Sequence, residues 1–171
     1  MNYTGFLREF DYKQGMQLWL IRHGECETNA ASDEARLLTP RGLEDVARVA
    51  AHVSARAPEF PLALLSSPFR RAQQTAEAFR THWGLEIETA PWLLPLSGVA
   101  AALDELRKRP EERLALVGHM PNLGLLLATL LWGLPPREAV LPRAAAALLE
   151  LPAWEPGAAQ LKLFIKPEEI P

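Results

Sequence analysis

The segment LWLIRHGECETN, residues 18–29, joins an apolar run to an arginine, a histidine and a glycine. The apolar part has the composition of a buried strand. Arg22 and His23 therefore belong at the carboxyl end of that strand, which is where open α/β sheets bind their ligands. A cationic side chain next to a titratable one at such a position indicates a binding or catalytic site.

Two later apolar runs end on residues of the same kind. The run LALLSS leads into Arg70 and Arg71, and the run RLALVG leads into His119. Because the carboxyl ends of parallel strands meet at one edge of a sheet, side chains from all three runs can converge there. Guanidinium groups bind phosphate oxygens in pairs, and an imidazole can attack phosphorus as a nucleophile. The pattern therefore predicts a site for a compact anion, made by Arg22, His23, Arg71 and His119.

Composition and charge exclude several classes of protein. A chain of 171 residues with 49% hydrophobic residues is long enough for one core and short for two, so we expect a single domain. The net charge of -3 offers no basic field, so we expect no nucleic-acid partner. The longest apolar run, residues 123–134, is too short to span a bilayer, so we expect no membrane partner.

The N-terminal segment shows no basic head followed by an apolar signal core, and the lone Cys26 cannot form an internal disulfide. We therefore expect a cytoplasmic protein. Residues 1–15 are polar and mixed and precede a second methionine, Met16. We treat them as an N-terminal extension, leave open whether it is natural, a tag or a misassigned start, and assign the single domain to residues 16–171.

Strand-like and helix-like patterns alternate along the chain. A Thr39 cap, Pro40 and apolar residues at helical spacing predict a helix over residues 40–56, whose apolar face is Leu43, Val46, Ala47, Ala50 and Val53. Further helices are predicted over residues 70–81, 98–109 and 121–132, and strands over residues 17–21, 62–67, 86–89 and 113–118. A turn signature, EPG, between AAAALLEL and QLKLFI favours a C-terminal hairpin. This alternation predicts an α/β fold with a mostly parallel sheet, covered on both faces, and an antiparallel C-terminal piece.

Three motifs carry a resemblance to a known family. RHGE with Asn29 six residues past the histidine, SSPFRRAQQT and VGHMPN resemble the histidine phosphatase superfamily, which also contains the cofactor-dependent phosphoglycerate mutases. SDEARLLTPRG and GHMPNLGLLL look most like the short SixA-type phosphohistidine phosphatases. The resemblance extends over about residues 17–165. It implies a phosphoglycerate mutase-like three-layer α/β/α sandwich with a minimal cap.

The resemblance also implies roles for individual residues. His23 is expected to be the nucleophile that takes the phosphoryl group in a covalent phosphohistidine intermediate. Its nonbridging oxygens are expected to be bound by Arg22, Arg71 and His119, with a further contact from Asn29. Because positioning and positive charge supply most of the catalysis of phosphoryl transfer, we expect neither a metal nor another cofactor. Phosphate and vanadate are expected to act as inhibitors.

The substrate class follows from a segment that is short here. Larger members of the superfamily insert a cap that carries a glutamate, which protonates an alcohol leaving group. Between residues 91 and 113 this chain has room for little beyond one helix, and APWLLPLSG places Trp92 there with no carboxylate before Asp104. An open site without a general acid suits a phosphorylated histidine on a protein, such as a histidine phosphotransfer domain. Trp92 could contact that substrate or pack in the core.

Two other functions stay open. One is a small-molecule phosphomonoester phosphatase or mutase-like enzyme of the same superfamily, and the other is a phosphate-binding module without catalysis. A binding module has no need of a nucleophile, which argues against it. A cysteine-phosphatase mechanism at Cys26 would need an arginine where Ser32 stands, and a zinc site at His23 and His119 would lack a third protein ligand.

The remaining polar residues are assigned more ordinary roles. His52 and His82 match no motif, so surface or packing roles are expected. Arg70 is expected on the rim of the site, while Asp33 and Arg36 are candidates for holding their loop closed beside it.

Overall fold

The structure is a computed structural model that describes residues 15–133 and 139–171. The extension predicted over residues 1–15 therefore lies, apart from Gly15, outside the described residues. Within the two described ranges, no helix is long and apolar enough to cross a membrane.

Six strands form one sheet, in the order β3-β2-β4-β1-β5-β6. The strands are β1 (Met16–Arg22), β2 (Ala63–Ser66), β3 (Ile87–Thr89), β4 (Arg113–Gly118), β5 (Ala146–Leu151) and β6 (Gln160–Ile165). Strands β1 to β4 all run parallel to one another. Strand β5 runs antiparallel to both β1 and β6. The mostly parallel sheet with an antiparallel C-terminal hairpin is thus confirmed.

Helices cover both faces of this sheet. They are α1 (Pro40–Arg56), α2 (Arg70–Trp83), α3 (Val99–Arg107) and α4 (Asn122–Trp132), with short 3₁₀ turns at Pro91–Leu93 and Pro167–Glu169. Residues of α1 and α2 share one apolar core with one face of the sheet, and residues of α3 and α4 share a second core with the other face. The segment between β3 and β4 holds only one short turn and α3, as the predicted minimal cap requires.

Alternation within β1 shows why the central strands are apolar throughout. Leu18 and Leu20 pack in the core of α3 and α4, whereas Trp19 and Ile21 pack in the core of α1 and α2. Successive side chains of a strand point to opposite faces, so a strand covered on both sides needs apolar residues at every position.

The predicted start of α1 is confirmed, but its predicted apolar face is partly wrong. Thr39 caps the helix, because its side chain accepts a hydrogen bond from the Gly42 N–H at 3.0 Å. The buried positions are Gly42, Val46, Val49, Ala50 and Val53. Leu43 and Ala47 are exposed, because both lie outside the stripe that these buried positions form along the helix.

Other element bounds move by only a few residues. Helix α2 continues past residue 81 to Trp83 and stops at Gly84, which adopts a left-handed conformation with φ 66°. Helix α3 is shorter than predicted and covers Val99–Arg107.

The topology brings four chain segments to one edge of the sheet. The carboxyl ends of β1, β2 and β4 meet there because these strands are parallel neighbours. The amino end of β5 meets them because β5 is antiparallel to β1. Backbone hydrogen bonds fix this junction: Arg22 N–H donates to the Ala145 carbonyl at 3.0 Å, and Ala144 N–H donates to the His23 carbonyl at 3.1 Å.

The close approach of α1 to the loop after β1 gives a first prediction. A Cβ atom at Gly42 would collide with the Glu25 backbone, so Gly42→Ala should push α1 away from this loop. Overpacking of this kind costs about 1–3 kcal/mol, which urea unfolding would measure. Glu44→Ala, an exposed change in the same helix, should stay within about 0.5 kcal/mol of the parent. Equal stability of the two variants would contradict the proposed contact.

Candidate functional site

His23 follows β1 directly and is buried, with 7% of its surface exposed. Its Nδ1 lies 2.7 Å from the Gly24 carbonyl oxygen. Because a carbonyl can only accept, Nδ1 carries the proton of this hydrogen bond. In the neutral ring, Nε2 is therefore left with a free lone pair, which is the form that a nucleophile needs.

The surroundings of His23 keep its ring neutral. Burial is the main cause that lowers the pKa of His23, to about 4. The hydrogen bond to Gly24 acts in the opposite direction, while the charges of Arg71 and Arg22 lower the pKa further. At neutral pH the imidazole is thus unprotonated on Nε2.

The loop after His23 is tied to α2 through a buried threonine. Gly24 N–H donates to Thr75 Oγ1 at 3.2 Å, and the Thr75 hydroxyl donates to the Arg71 carbonyl at 2.8 Å. One hydroxyl therefore fixes the backbone on both sides of the cluster. Sequence reasoning used this threonine only as part of a motif.

Arg71 is the second residue of α2 and is almost fully buried. Its Nη1 donates to the Asp33 carbonyl at 2.6 Å, and its Nη2 donates to the Asp33 carboxylate at 3.0 Å. The guanidinium carbon lies 4.8 Å from the centre of the Phe69 ring. Arg71 Nε is buried and has no hydrogen-bond partner among the described residues. The guanidinium is thus held through both Nη atoms, and its buried Nε–H is left for another acceptor.

The loop that carries Asp33 is closed as predicted. Arg36 bonds the Asp33 carboxylate at 2.9 Å, the Glu27 carbonyl at 2.6 Å and the Cys26 sulfur at 3.2 Å. The hydrogen bond from Arg36, and then those from Arg71, lower the pKa of the Asp33 carboxyl. Asp33 is therefore an ionised counter-ion to Arg71, a role that the sequence did not show.

His119 follows β4 and is also buried. Its ring centre lies 5.0 Å from that of His23 and 5.2 Å from that of Phe69. Its Nε2 lies 2.7 Å from the Ser67 hydroxyl oxygen. Burial is the main cause that lowers the pKa of His119, to about 3, and repulsion from a protonated His23 and from the charge of Arg71 lowers it further, so this ring is neutral as well.

Arg22 completes the predicted cluster. Its Nη1 donates to the Leu141 carbonyl at 2.9 Å, and its charge lowers the pKa of both His23 and His119. The structure thus brings together all four residues of the predicted anion site.

A further arginine, Arg143, was missed by sequence reasoning. It is exposed, and its charge also lowers the pKa of His23. Only the carboxyl ends of parallel strands were considered as sources of site residues, whereas Arg143 precedes the antiparallel strand β5. The signal that could have found it is a basic residue just before the strand of the C-terminal hairpin.

Asn29 and Arg70 lie outside this buried cluster. Asn29 is exposed and lines a cavity of about 490 Å³ together with Arg143 and Arg36. Arg70 is exposed at the start of α2, as expected for the rim, and its backbone N–H donates to the Glu34 carbonyl.

A second, mostly apolar cavity of about 450 Å³ lies beside the cluster, lined by Asp33, Phe69, Leu94, Pro95, Leu96 and Ser97. Asn122 holds its wall by donating to the carbonyls of Trp92 and Leu94. The Trp92 side chain packs against the core, which favours the packing role over substrate contact. Asp104 is exposed on α3 and bonds Arg107.

No group of three or more histidine, cysteine, aspartate or glutamate residues suited to hold a metal ion occurs in the part of the chain that the structure describes.

Known proteins resemble this chain in sequence. The family model described as histidine phosphatase superfamily (branch 1) matches residues 18–94. Phosphohistidine phosphatase SixA of Escherichia coli (strain K12) is 32% identical over 126 residues, which cover 71% of this chain and 78% of that protein. The phosphohistidine phosphatase SixA homolog of Haemophilus influenzae is 29% identical over 126 residues, which cover 67% of this chain and 77% of that protein.

A solved structure shows the same architecture. The protein histidine phosphatase SixA, complexed with tungstate, has a TM-score of 0.77 and 28% sequence identity, with 91% of this chain and 100% of that chain covered. The predicted three-layer α/β/α sandwich is thereby confirmed. With the family match and a relative of 32% identity that spans most of both chains, the protein belongs to the histidine phosphatase superfamily and is a phosphatase.

Proposed function

We propose that the protein removes phosphate from a phosphorylated histidine on another protein, through a covalent phosphohistidine on His23. The observation that carries this proposal is the neutral, buried His23, whose Nδ1–H is bonded to the Gly24 carbonyl beside two guanidinium groups. The similarity of this chain to the SixA phosphohistidine phosphatases supports the same substrate class.

In the first step, Nε2 of His23 attacks the phosphorus atom. The bond between phosphorus and the nitrogen of the substrate histidine breaks. That imidazole, which carries a proton on its other nitrogen, takes the bonding electron pair and leaves in neutral form. The phosphorylated His23 ring becomes positively charged, and the Gly24 carbonyl that accepts its Nδ1–H stabilises this charge. In the second step, water attacks phosphorus, which releases phosphate and returns His23 to its neutral form.

Positive charge around the transferred group supplies most of the rate enhancement. Phosphoryl transfer places charge on three equatorial oxygens. In the proposed reaction, Arg22, Arg71 and His119 bind these oxygens. The guanidinium of Arg71 is already oriented by Asp33 and keeps its Nε–H for an oxygen of the phosphoryl group. These charges leave no step that needs a metal ion, and Asn29 adds a contact at the edge of the site.

The protonation states in the site favour a phosphohistidine over an alkyl phosphate. Among the residues that line the apolar cavity, Asp33 is the carboxylate, and its lowered pKa keeps it ionised at neutral pH. His119 is neutral, because its pKa is about 3, and cannot deliver a proton as an imidazolium. A basic alkoxide therefore receives little help, whereas the imidazole of phosphohistidine can leave in neutral form.

The open surroundings of the site fit a protein substrate. The wall between β3 and α3 is a single turn and a short loop, which contains an almost fully exposed Leu96. A phosphorylated side chain that projects from a folded partner, such as a histidine phosphotransfer domain, reaches the cluster across this wall.

Trapping of the intermediate tests the covalent step. Turnover quenched in base should leave a phosphoryl adduct that is stable in base and labile in acid, on the peptide that contains His23. Mass spectrometry of the peptides identifies the position. His82→Ala, at an exposed histidine, is the matched control and should retain the adduct, whereas His23→Ala should lose both adduct and turnover.

An adduct on His119 or Cys26 would show that the nucleophile is misassigned. Binding of phosphate with neither an adduct nor turnover would support the alternative of a phosphate-binding module.

The two adjacent arginines at the start of α2 make a matched pair. Arg71→Ala should reduce kcat by on the order of 10³, because a guanidinium that binds the transferred oxygens is lost. Arg70→Ala should change kcat little, since its side chain is exposed on the rim. Melting curves would check folding, and Arg71→Lys, which keeps the charge, should recover part of the rate. Similar losses at both positions would contradict the assignment.

The identity of the leaving group decides between protein and metabolite substrates. Rates should fall from a phosphohistidine protein and aryl phosphates to sugar phosphates or phosphoglycerate, by roughly the 10²–10⁴ that a general acid contributes. Steady-state release of phosphate measures this series, and vanadate or tungstate should inhibit every member of it. Equal rates for sugar phosphates and the phosphohistidine protein would favour the small-molecule phosphatase instead.

A further inference from the structure

The Ser67 side chain joins two elements of the site. Its hydroxyl oxygen lies 2.7 Å from Nε2 of His119 and accepts a hydrogen bond from the Phe69 N–H at 3.3 Å. Ser67 is fully buried. Its backbone is fixed as well, because its N–H donates to the Val117 carbonyl and its carbonyl accepts from the Gln73 side chain. The hydroxyl is thus held against the ring of His119.

The number of protons and lone pairs decides the direction of this hydrogen bond. A hydroxyl has one proton to donate and two lone pairs that accept. If Nε2 of His119 donated, both lone pairs of Ser67 would be occupied, and the hydroxyl proton would be buried without an acceptor among the described residues. A buried donor without an acceptor is costly. That arrangement would also leave the Nδ1 lone pair of His119 without a donor among the described residues. If Ser67 donates to Nε2 instead, one group is unsatisfied rather than two: the Nδ1–H of His119.

We infer that Ser67 is a positioning residue, which holds His119 in the neutral tautomer with its proton on Nδ1 and thereby makes His119 a hydrogen-bond donor to the transferred phosphoryl group. The inference rests on the proposed function, since it deepens the role of His119 at the same site. Nδ1 of His119 is buried and has no hydrogen-bond partner in the described part of the chain. An oxygen of the phosphoryl group, held beside the two rings, would supply that partner.

The two histidines are then both protonated on Nδ1, but they have opposite roles towards the phosphoryl group. His23 uses its Nδ1–H on the Gly24 carbonyl and presents a lone pair to phosphorus. His119 uses its Nε2 lone pair on the Ser67 hydroxyl and presents an N–H to an oxygen. The lowered pKa of His119, about 3, agrees with a ring that donates without being charged.

Nitrogen NMR of the full chain, labelled with ¹⁵N-histidine, tests the tautomer directly. The chain has four histidines, and the His119 signals are those that disappear in His119→Asn. We expect protonated Nδ1 and unprotonated Nε2 at neutral pH. A proton on Nε2, or on both nitrogens, would overturn the inference. No substrate is needed, so this result stands apart from any failure of the proposed phosphohistidine activity.

Variants at Ser67 test its positioning role. Ser67→Ala should mix the two tautomers of His119 and lower kcat by roughly 10–100-fold with little change in KM, less than the 10²–10³ that loss of an oxyanion donor costs. Ser67→Thr keeps the hydroxyl and should restore both readouts. Ser66→Ala is the matched control, because its hydroxyl is equally buried but donates to the Ser67 carbonyl. An unchanged tautomer in Ser67→Ala would overturn the assignment.

A second pair of variants covers the case in which Ser67→Ala does not fold. The amide nitrogen of asparagine occupies the place of Nδ1, and that of glutamine occupies the place of Nε2. His119→Asn should therefore retain at least tenfold more activity than His119→Gln. The reverse order would contradict the inference.

Discussion

Burial of two neutral imidazoles side by side is the constraint on which the rest of the site depends. Taking His23 and His119 out of water lowers the pKa of both, and the neighbouring guanidinium groups strengthen this effect. A buried neutral imidazole still has one donor and one acceptor to satisfy. In the proposed tautomers, the Gly24 carbonyl accepts the proton of His23 and the Ser67 hydroxyl donates to the lone pair of His119. The other nitrogen of each ring is then available for the proposed reaction.

The positive charge of the site is balanced locally, in a protein whose net charge is negative. Asp33 holds both Nη atoms of Arg71 while Arg36 holds Asp33, so the guanidinium is oriented before any substrate arrives. Fixed dipoles and charges stabilise a transition state better than groups that must reorganise. The same bonds keep Asp33 ionised, which removes it as a proton donor. One loop thus orients the Arg71 guanidinium and, in the proposed reaction, restricts the leaving groups.

Residue types and spacing were sufficient to predict the layers, the sheet and the four converging residues. That success follows from topology, because strands buried on both faces are apolar throughout and parallel strands end at one edge. The predicted apolar face of α1 was partly wrong, because Leu43 continues the apolar pattern of the sequence although its side chain is exposed. The pairing of Asp33 with Arg71, the contact of Ser67 with His119 and the approach of Arg143 to His23 were not predicted, because they join segments distant in sequence and depend on side-chain direction.

The antiparallel strand β5 extends the sheet and also brings a further chain segment to the site. Its amino end lies beside the carboxyl end of β1. The segment that precedes β5 therefore forms hydrogen bonds with the backbone of Arg22 and His23 and with the Arg22 guanidinium. A parallel strand at this position would place its amino end at the opposite edge of the sheet. Reversal of one strand therefore supports His23, the proposed nucleophile, from a second side and brings Arg143 close enough for its charge to act on His23.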